Sequence, residues 1–187
     1  MSRGVDDGGR AAEGPAAAFL RESVAGFHAL RDQAERALAQ ADDAAFFARL
    51  DDTSNSLAVL VAHMAGNALS RWTDFLTSDG EKPDRDRDGE FDPDPSLTRD
   101  DLMRRWEAGW GAVFAALEPL APADLARTIT IRGEPHTVLQ AILRQTRHYA
   151  YHVGQIVQLA RHYRGDGWQT LSIARGKSRE YRDALRS

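Results

Sequence analysis

The sequence predicts an all-α fold: a four-helix bundle with one long crossover loop and a short β segment before the last core helix. Three observations carry this. Four long stretches repeat apolar residues at helical spacing. Two of them open on capping patterns, Thr98 with Asp101 and Thr137 with Gln140. A polar segment, residues 78–96, separates the second stretch from the third and is too long for a tight turn. Four amphipathic helices with one long connection describe a bundle.

Pro15 opens the first predicted helix, which reaches Ala41 and places Phe19, Val24, Phe27, Leu30, Ala34 and Leu38 on one face. Phe46, Phe47 and Leu50 form an apolar patch before a turn. The second helix runs from Ser56 to Leu76, with Ser54 or Asn55 as its expected cap. Leu57, Leu60, Val61, Met64, Ala68 and Trp72 form its stripe, and His63 and Asn67 border it. The third helix runs from Arg99 to Leu117 and ends at Pro119 and Pro122. Thr128 to Ile131 is β-branched and reads as an extended segment or half of a hairpin. The fourth helix spans Thr137 to Tyr163 and stops at Gly165-Asp166-Gly167. Trp168 to Ser178 reads as an ordered excursion, and Arg179 to Leu185 as a weak final helix. Residues 1–14 are expected to be a disordered leader, 15–178 a single domain and 179–187 a tail.

Composition narrows the function. The 187 residues carry 24 basic and 28 acidic side chains, a formal net charge of -4. No general electrostatic pull toward nucleic acid or anionic lipid follows. No apolar run is long enough to cross a membrane, and residues 1–14 lack the apolar core of a signal peptide. There is no cysteine, so any metal must use His, Asp, Glu or water. These features fit a cytoplasmic protein.

The chemistry concentrates in Arg147 to Gln155. His148 and His152 are four apart, which puts both rings on one helix face about 6 Å apart. Two imidazoles can share a divalent ion without filling its shell. His63, on the second helix, is the candidate third ligand. Three neutral imidazoles and a water make an open site of catalytic type. The plainer reading is half-buried histidines bonded to neighbouring helices. Gln155 and Asn67 are candidates for contacts behind the ligands, with surface polarity the simpler role for Asn67. His28, His136 and His162 lack this setting.

Asp84, Asp86, Asp88 and Gly89 resemble the start of a calcium loop, but its twelfth position is Pro95 and not Glu. The segment therefore reads as a solvated, salt-bridged loop, with Arg85 and Arg87 pairing to Asp86 and Asp88. Trp72, Phe75 and Phe91 are its expected anchors, and it is placed to fold over the His site as a lid. No nucleophile elbow, phosphate-cradling glycine motif or His-Glu-x-x-His signature is present.

Several stretches resemble a known group: residues 55–57 and 63–67, Arg71 to Pro83, Arg87 to Phe91, Ile131 to Thr137, His148 to Ile156 and Ser172 to Ser178. Together they are similar to the DinB/YfiT-like superfamily of metal-binding four-helix bundles, in an uncharacterised bacterial branch with a domain of unknown function. The resemblance implies a metal triad at His63, His148 and His152. It implies one divalent transition ion, zinc or nickel, and frequent homodimers. Better-known relatives are thiol S-transferases and a mycothiol-dependent isomerase. The expected function is a metal-dependent hydrolase or thiol S-transferase acting on a small molecule. The general base is not identified; Glu81, Asp88 and Glu90 are candidates if the loop closes. The alternative is a non-catalytic, metal-stabilised binding or stress-response module.

Overall fold

The computed structural model of the chain describes residues 14–92 and 94–185. The expected leader lies outside the described residues except for Gly14. The described residues are mostly helical, with one small antiparallel sheet. The helices are α1 (Pro15–Leu38), α2 (Asp43–Phe47), α3 (Leu57–Trp72), α4 (Arg99–Leu117), α5 (Val138–Arg164) and α6 (Ser178–Ala184).

Local chemistry explains most boundaries. Pro15 starts α1, where its missing N–H costs nothing. Ser56 caps α3 by accepting from Val59 N, so the cap lies one or two residues beyond the expected Ser54 or Asn55. The α3 helix also stops at Trp72 and not Leu76: Thr73 turns extended, and Asp74 takes φ 48°. The Thr98–Asp101 and Thr137–Gln140 capping boxes both form. The first helix ends at Leu38, three residues before the expected Ala41, and the apolar patch that follows contains the short α2, capped by Asp42. Arg99 ties this break to α4, donating to the carbonyls of Leu38 and Ala41 (both 2.8 Å) and lying over the Phe46 ring. A cation at the end of α1 also suits the helix dipole.

The extended segment is half of a hairpin. Strand β1 (Thr128–Ile131) pairs with β2 (Glu134–Thr137), Thr128 opposite Thr137 and Ile131 opposite Glu134. Arg132 and Gly133 form the two-residue turn, both at positive φ, as the twist of such a hairpin requires. Ile129 and Ile131 point into the core and Thr128 and Thr130 outward.

The four long helices share one core. The α3 helix packs on α4 and α5, and α1 packs on α5. Phe27, Trp72, Trp106, Trp110 and Tyr149 meet there edge-on or tilted. Trp72 Nε1 donates to Tyr149 Oη at 3.1 Å, which satisfies both polar atoms inside the apolar centre. Nearly every residue of α3 is buried, so the helix is covered on all sides. Part of that cover is the segment between α3 and α4.

That segment is ordered by specific contacts. Phe75 is buried against Trp72. Gly80 N donates to Thr130 O at 2.8 Å. The Asp79 carboxylate accepts from the Arg132 and Gly133 amides, both at 2.8 Å, clasping the hairpin turn. The expected pairing of Arg85 and Arg87 with Asp86 and Asp88 does not form. Arg85 reaches Glu81 and Glu90 instead, Arg87 lies over Phe91, and Asp86 accepts from Gly89 N. No described helix is long and apolar enough to cross a membrane.

Candidate metal centre

The α3 helix carries His63, and α5 carries His148 and His152 one turn apart. Where the two helices meet, the three rings face one another. Ring centroids are 4.6 Å apart for His148–His152, 4.8 Å for His63–His152 and 5.3 Å for His63–His148. One nitrogen from each ring lies within 4.8 Å of the others. Nitrogens around one tetrahedral ion stand roughly 3.3 Å apart, so small ring rotations suffice to share one. Among the described residues, no other group of His, Asp or Glu is gathered closely enough for this. The aspartates of the apparent calcium loop are not brought together.

Two of the three rings are oriented from behind. His63 Nδ1 lies 2.9 Å from Glu90 Oε2, and both side chains are buried. Burial would raise the Glu90 pKa, but hydrogen bonds from His63 and Arg85, and the Arg85 charge, hold it below the ordinary carboxylate range. An ionised carboxylate only accepts, so the shared proton sits on Nδ1 and Nε2 is the nitrogen left to meet an ion. His152 Nδ1 likewise donates to Gln155 Oε1 at 2.8 Å. His148 Nε2 is buried with no hydrogen-bond partner. A buried, unpaired imidazole nitrogen beside two rings whose Nδ1 atoms are engaged is the donor set a divalent ion takes.

The protonation states agree. Burial, followed by the neighbouring His152, His63, Arg85 and Arg71, pushes the His148 pKa down to about 3. Burial also lowers that of His152, partly opposed by the Gln155 hydrogen bond. Both rings are therefore neutral at pH 7, the form that binds metal. The residues present fit a divalent ion.

Above the rings is a cavity of about 350 Å³, walled also by Asn67, Gln145, Phe91 and five arginines. Asn67 is buried, contrary to the surface role expected for it, and its Oδ1 accepts from Gln145 Nε2 at 2.7 Å, joining α3 to α5. Phe91 packs on His63, with ring centroids 4.6 Å apart. Arg85 grips Glu90 through two 2.7 Å hydrogen bonds, a planar fork on a planar carboxylate.

The other histidines lie elsewhere. His28 stacks on Phe114 near Glu118, and His136 Nδ1 bonds the Glu134 carbonyl. His162 packs beside Tyr163. Sequence reasoning named Glu90 only as a possible base; its place behind His63 was missed. The available signal was Gly66, one turn after His63. A Cβ there would overlap Glu90 Oε1, so the glycine opens the gap through which the carboxylate arrives.

No curated protein and no solved structure matches the chain significantly. The description "Protein of unknown function (DUF1572)" matches residues 15–177, and with nearly the whole described chain inside that match, the chain belongs to this family.

Proposed function

We propose that this protein is a metal-dependent enzyme of the DinB/YfiT-like kind, a four-helix bundle in which His63, His148 and His152 hold one zinc or nickel ion. The observation that carries this reading is the buried His148 Nε2, left without a partner between two imidazoles already oriented from behind. An unpaired buried acceptor costs about 1–3 kcal/mol, and an ion removes that penalty. Only three protein ligands converge among the described residues, which supports an open, catalytic site over a closed structural one.

When bound, the ion supplies Lewis acidity that eases loss of a proton from a water or thiol. The chain's own residues do the rest. Glu90 and Gln155 fix the tautomers of His63 and His152. Phe91 shields one side of His63 from water, and the arginine-rich wall positions the reactant. No carboxylate faces the cavity among the described residues, since Glu90 is held by His63 and Arg85. A thiol, with its lower pKa near 8.5, needs a protein base less than water does. This favours thiol S-transfer over hydrolysis. A homodimer belongs to the same reading and is checked by sedimentation.

Untagged protein is expected to retain about one transition ion per chain by elemental analysis. The pair on α5 is a rigid chelate, so His148→Ala and His152→Ala should weaken metal affinity more than His63→Ala. All three should exceed the roughly 10–100-fold typical of lost outer contacts. His28→Ala, His136→Ala and His162→Ala should bind as wild type. Protein that takes up neither zinc nor nickel, with no thermal shift, would sink the site. Turnover of a thiol-plus-electrophile panel against an ester panel then separates the two chemistries.

A further inference from the structure

The wall of the cavity carries more positive charge than the protein neutralises. Arg71, Arg85, Arg87, Arg132 and Arg144 all line it. Two nearby carboxylates answer them: Glu81 pairs with Arg71, Arg85 and Arg132, and Glu90 with Arg85. Among the described residues neither Arg87 nor Arg144 has an ion pair, and Arg87 lies over the Phe91 ring. Arg71 is buried, yet its Nε and Nη1 have no hydrogen-bond partner, and its one ion pair is long at 3.3 Å. In a chain of formal net charge -4, a cavity lined by five arginines and no carboxylate is a local reversal of sign. Such a concave basic wall raises the local concentration of anions. Guanidinium groups match carboxylate and phosphate oxygens in geometry as well as charge.

From this cluster we infer that the cavity binds an oxyanion, a carboxylate or phosphate carried by the substrate, between the exposed rim arginines Arg87 and Arg144 and the buried Arg71. The inference deepens the metal-enzyme reading and rests on it only for what the far end of the ligand meets. Under it, the substrate is an anionic small molecule whose reacting atom faces the His triad and whose charged group faces the arginines. A neutral or cationic substrate does not fit this wall.

The test uses the full chain, metal-free and zinc-loaded, at fixed ionic strength in a buffer without oxyanions. Inorganic phosphate, succinate and the neutral isostere succinamide are titrated by calorimetry. Phosphate or succinate should bind and succinamide should not, and the tighter of the two identifies the oxyanion. Arg87→Gln and Arg144→Gln remove no ion pair, so folding is preserved; each should weaken binding about tenfold. Arg147→Gln, on α5 but off the cavity, should change nothing. Oxyanions binding no better than succinamide in both metal states would overturn the inference. So would wild-type affinity in both rim variants, or an equal loss in Arg147→Gln. Zinc content is measured alongside. Protein that binds oxyanions but no zinc keeps this inference and loses the metal reading. Protein that binds zinc but ignores oxyanions does the reverse.

Discussion

Two charge-rich, glycine-punctuated segments leave the helical core: the connection from α3 to α4, and the stretch from Gly165 to Leu185. In sequence they look alike. In the fold they differ. The first buries Glu90 and almost all of the Arg85 side chain, and places Phe91 on His63. The second has no buried residue among those described: Trp168 and Leu171 pack half-buried against the core, and the side chains beyond them remain largely in solvent. Its long-range attachment includes a reciprocal pair of hydrogen bonds between Gln40 and Gln169. Polar composition therefore does not decide whether a segment docks. What decides is whether its charges find complementary partners around an apolar contact. Buried ions without partners are strongly unfavourable, so Arg85 and Glu90 dock together or not at all.

The comparison breaks most severely at Arg85. Arg85→Ala leaves Glu90 buried without its bidentate partner, a loss of about 3–5 kcal/mol. The α3–α4 segment should then be cleaved by protease in the native protein as readily as the C-terminal stretch. Wild-type cleavage rates in the variant would show that the ion pair does not hold the segment.

A smaller change acts at Gly66. Gly66→Ala improves helix propensity by about 1 kcal/mol but places a methyl where Glu90 Oε1 lies. The unliganded protein should unfold below the wild-type temperature, though by less than Arg85→Ala because the displaced carboxylate keeps its guanidinium partner, and zinc affinity should fall about tenfold because His63 loses its carboxylate. Unchanged zinc affinity would separate Glu90 from the metal site.

These two positions mark the limit of what could be read from the sequence. The capping boxes, the hairpin strand and the His148–His152 face follow from local spacing, and the structure has them. His63 was found because its helix stripe was periodic. Glu90 and Arg85 lie in a segment with no periodicity, and their partners are set by how that segment folds back on α3. Asn67 and Arg71 were hard for another reason. On a helix covered from every side, the apolar stripe no longer tells which polar residues are buried. The early end of α3 depends on Asp74 entering the left-handed region, which no neighbouring glycine or proline announces.

The Asp79 clasp gives a milder, pH-dependent test. Amide hydrogen bonds from Gly133, Glu81 and Arg132 hold its pKa below the ordinary carboxylate value. Its contribution is therefore complete above about pH 4 and is lost as pH falls through the lowered pKa. Hydrogen exchange at the Arg132 and Gly133 amides, corrected for intrinsic rate, should accelerate below that point. Asp79→Asn should remove the pH dependence. An acid-induced acceleration that persists unchanged in Asp79→Asn would count against the clasp.

The smallest effect belongs to the other segment. Removing residues 178–187, which include the exposed α6, should move the melting temperature by no more than about 2 °C. A larger drop would mean that α6 itself docks on the core.

The contact between His63 and Glu90 spans 27 residues, whereas His63 meets α5 across a far longer stretch of chain. Closing a short loop loses less chain entropy than closing a long one. During refolding, the Arg85–Glu90 fork can seat on α3 before α5 arrives. The α5 helix then delivers two imidazoles in a single event. If the triad holds zinc as proposed, the time course of zinc uptake by a refolding chain becomes a clock for the seating of its last long helix, and a stopped-flow trace with a zinc indicator would read it without any label on the protein.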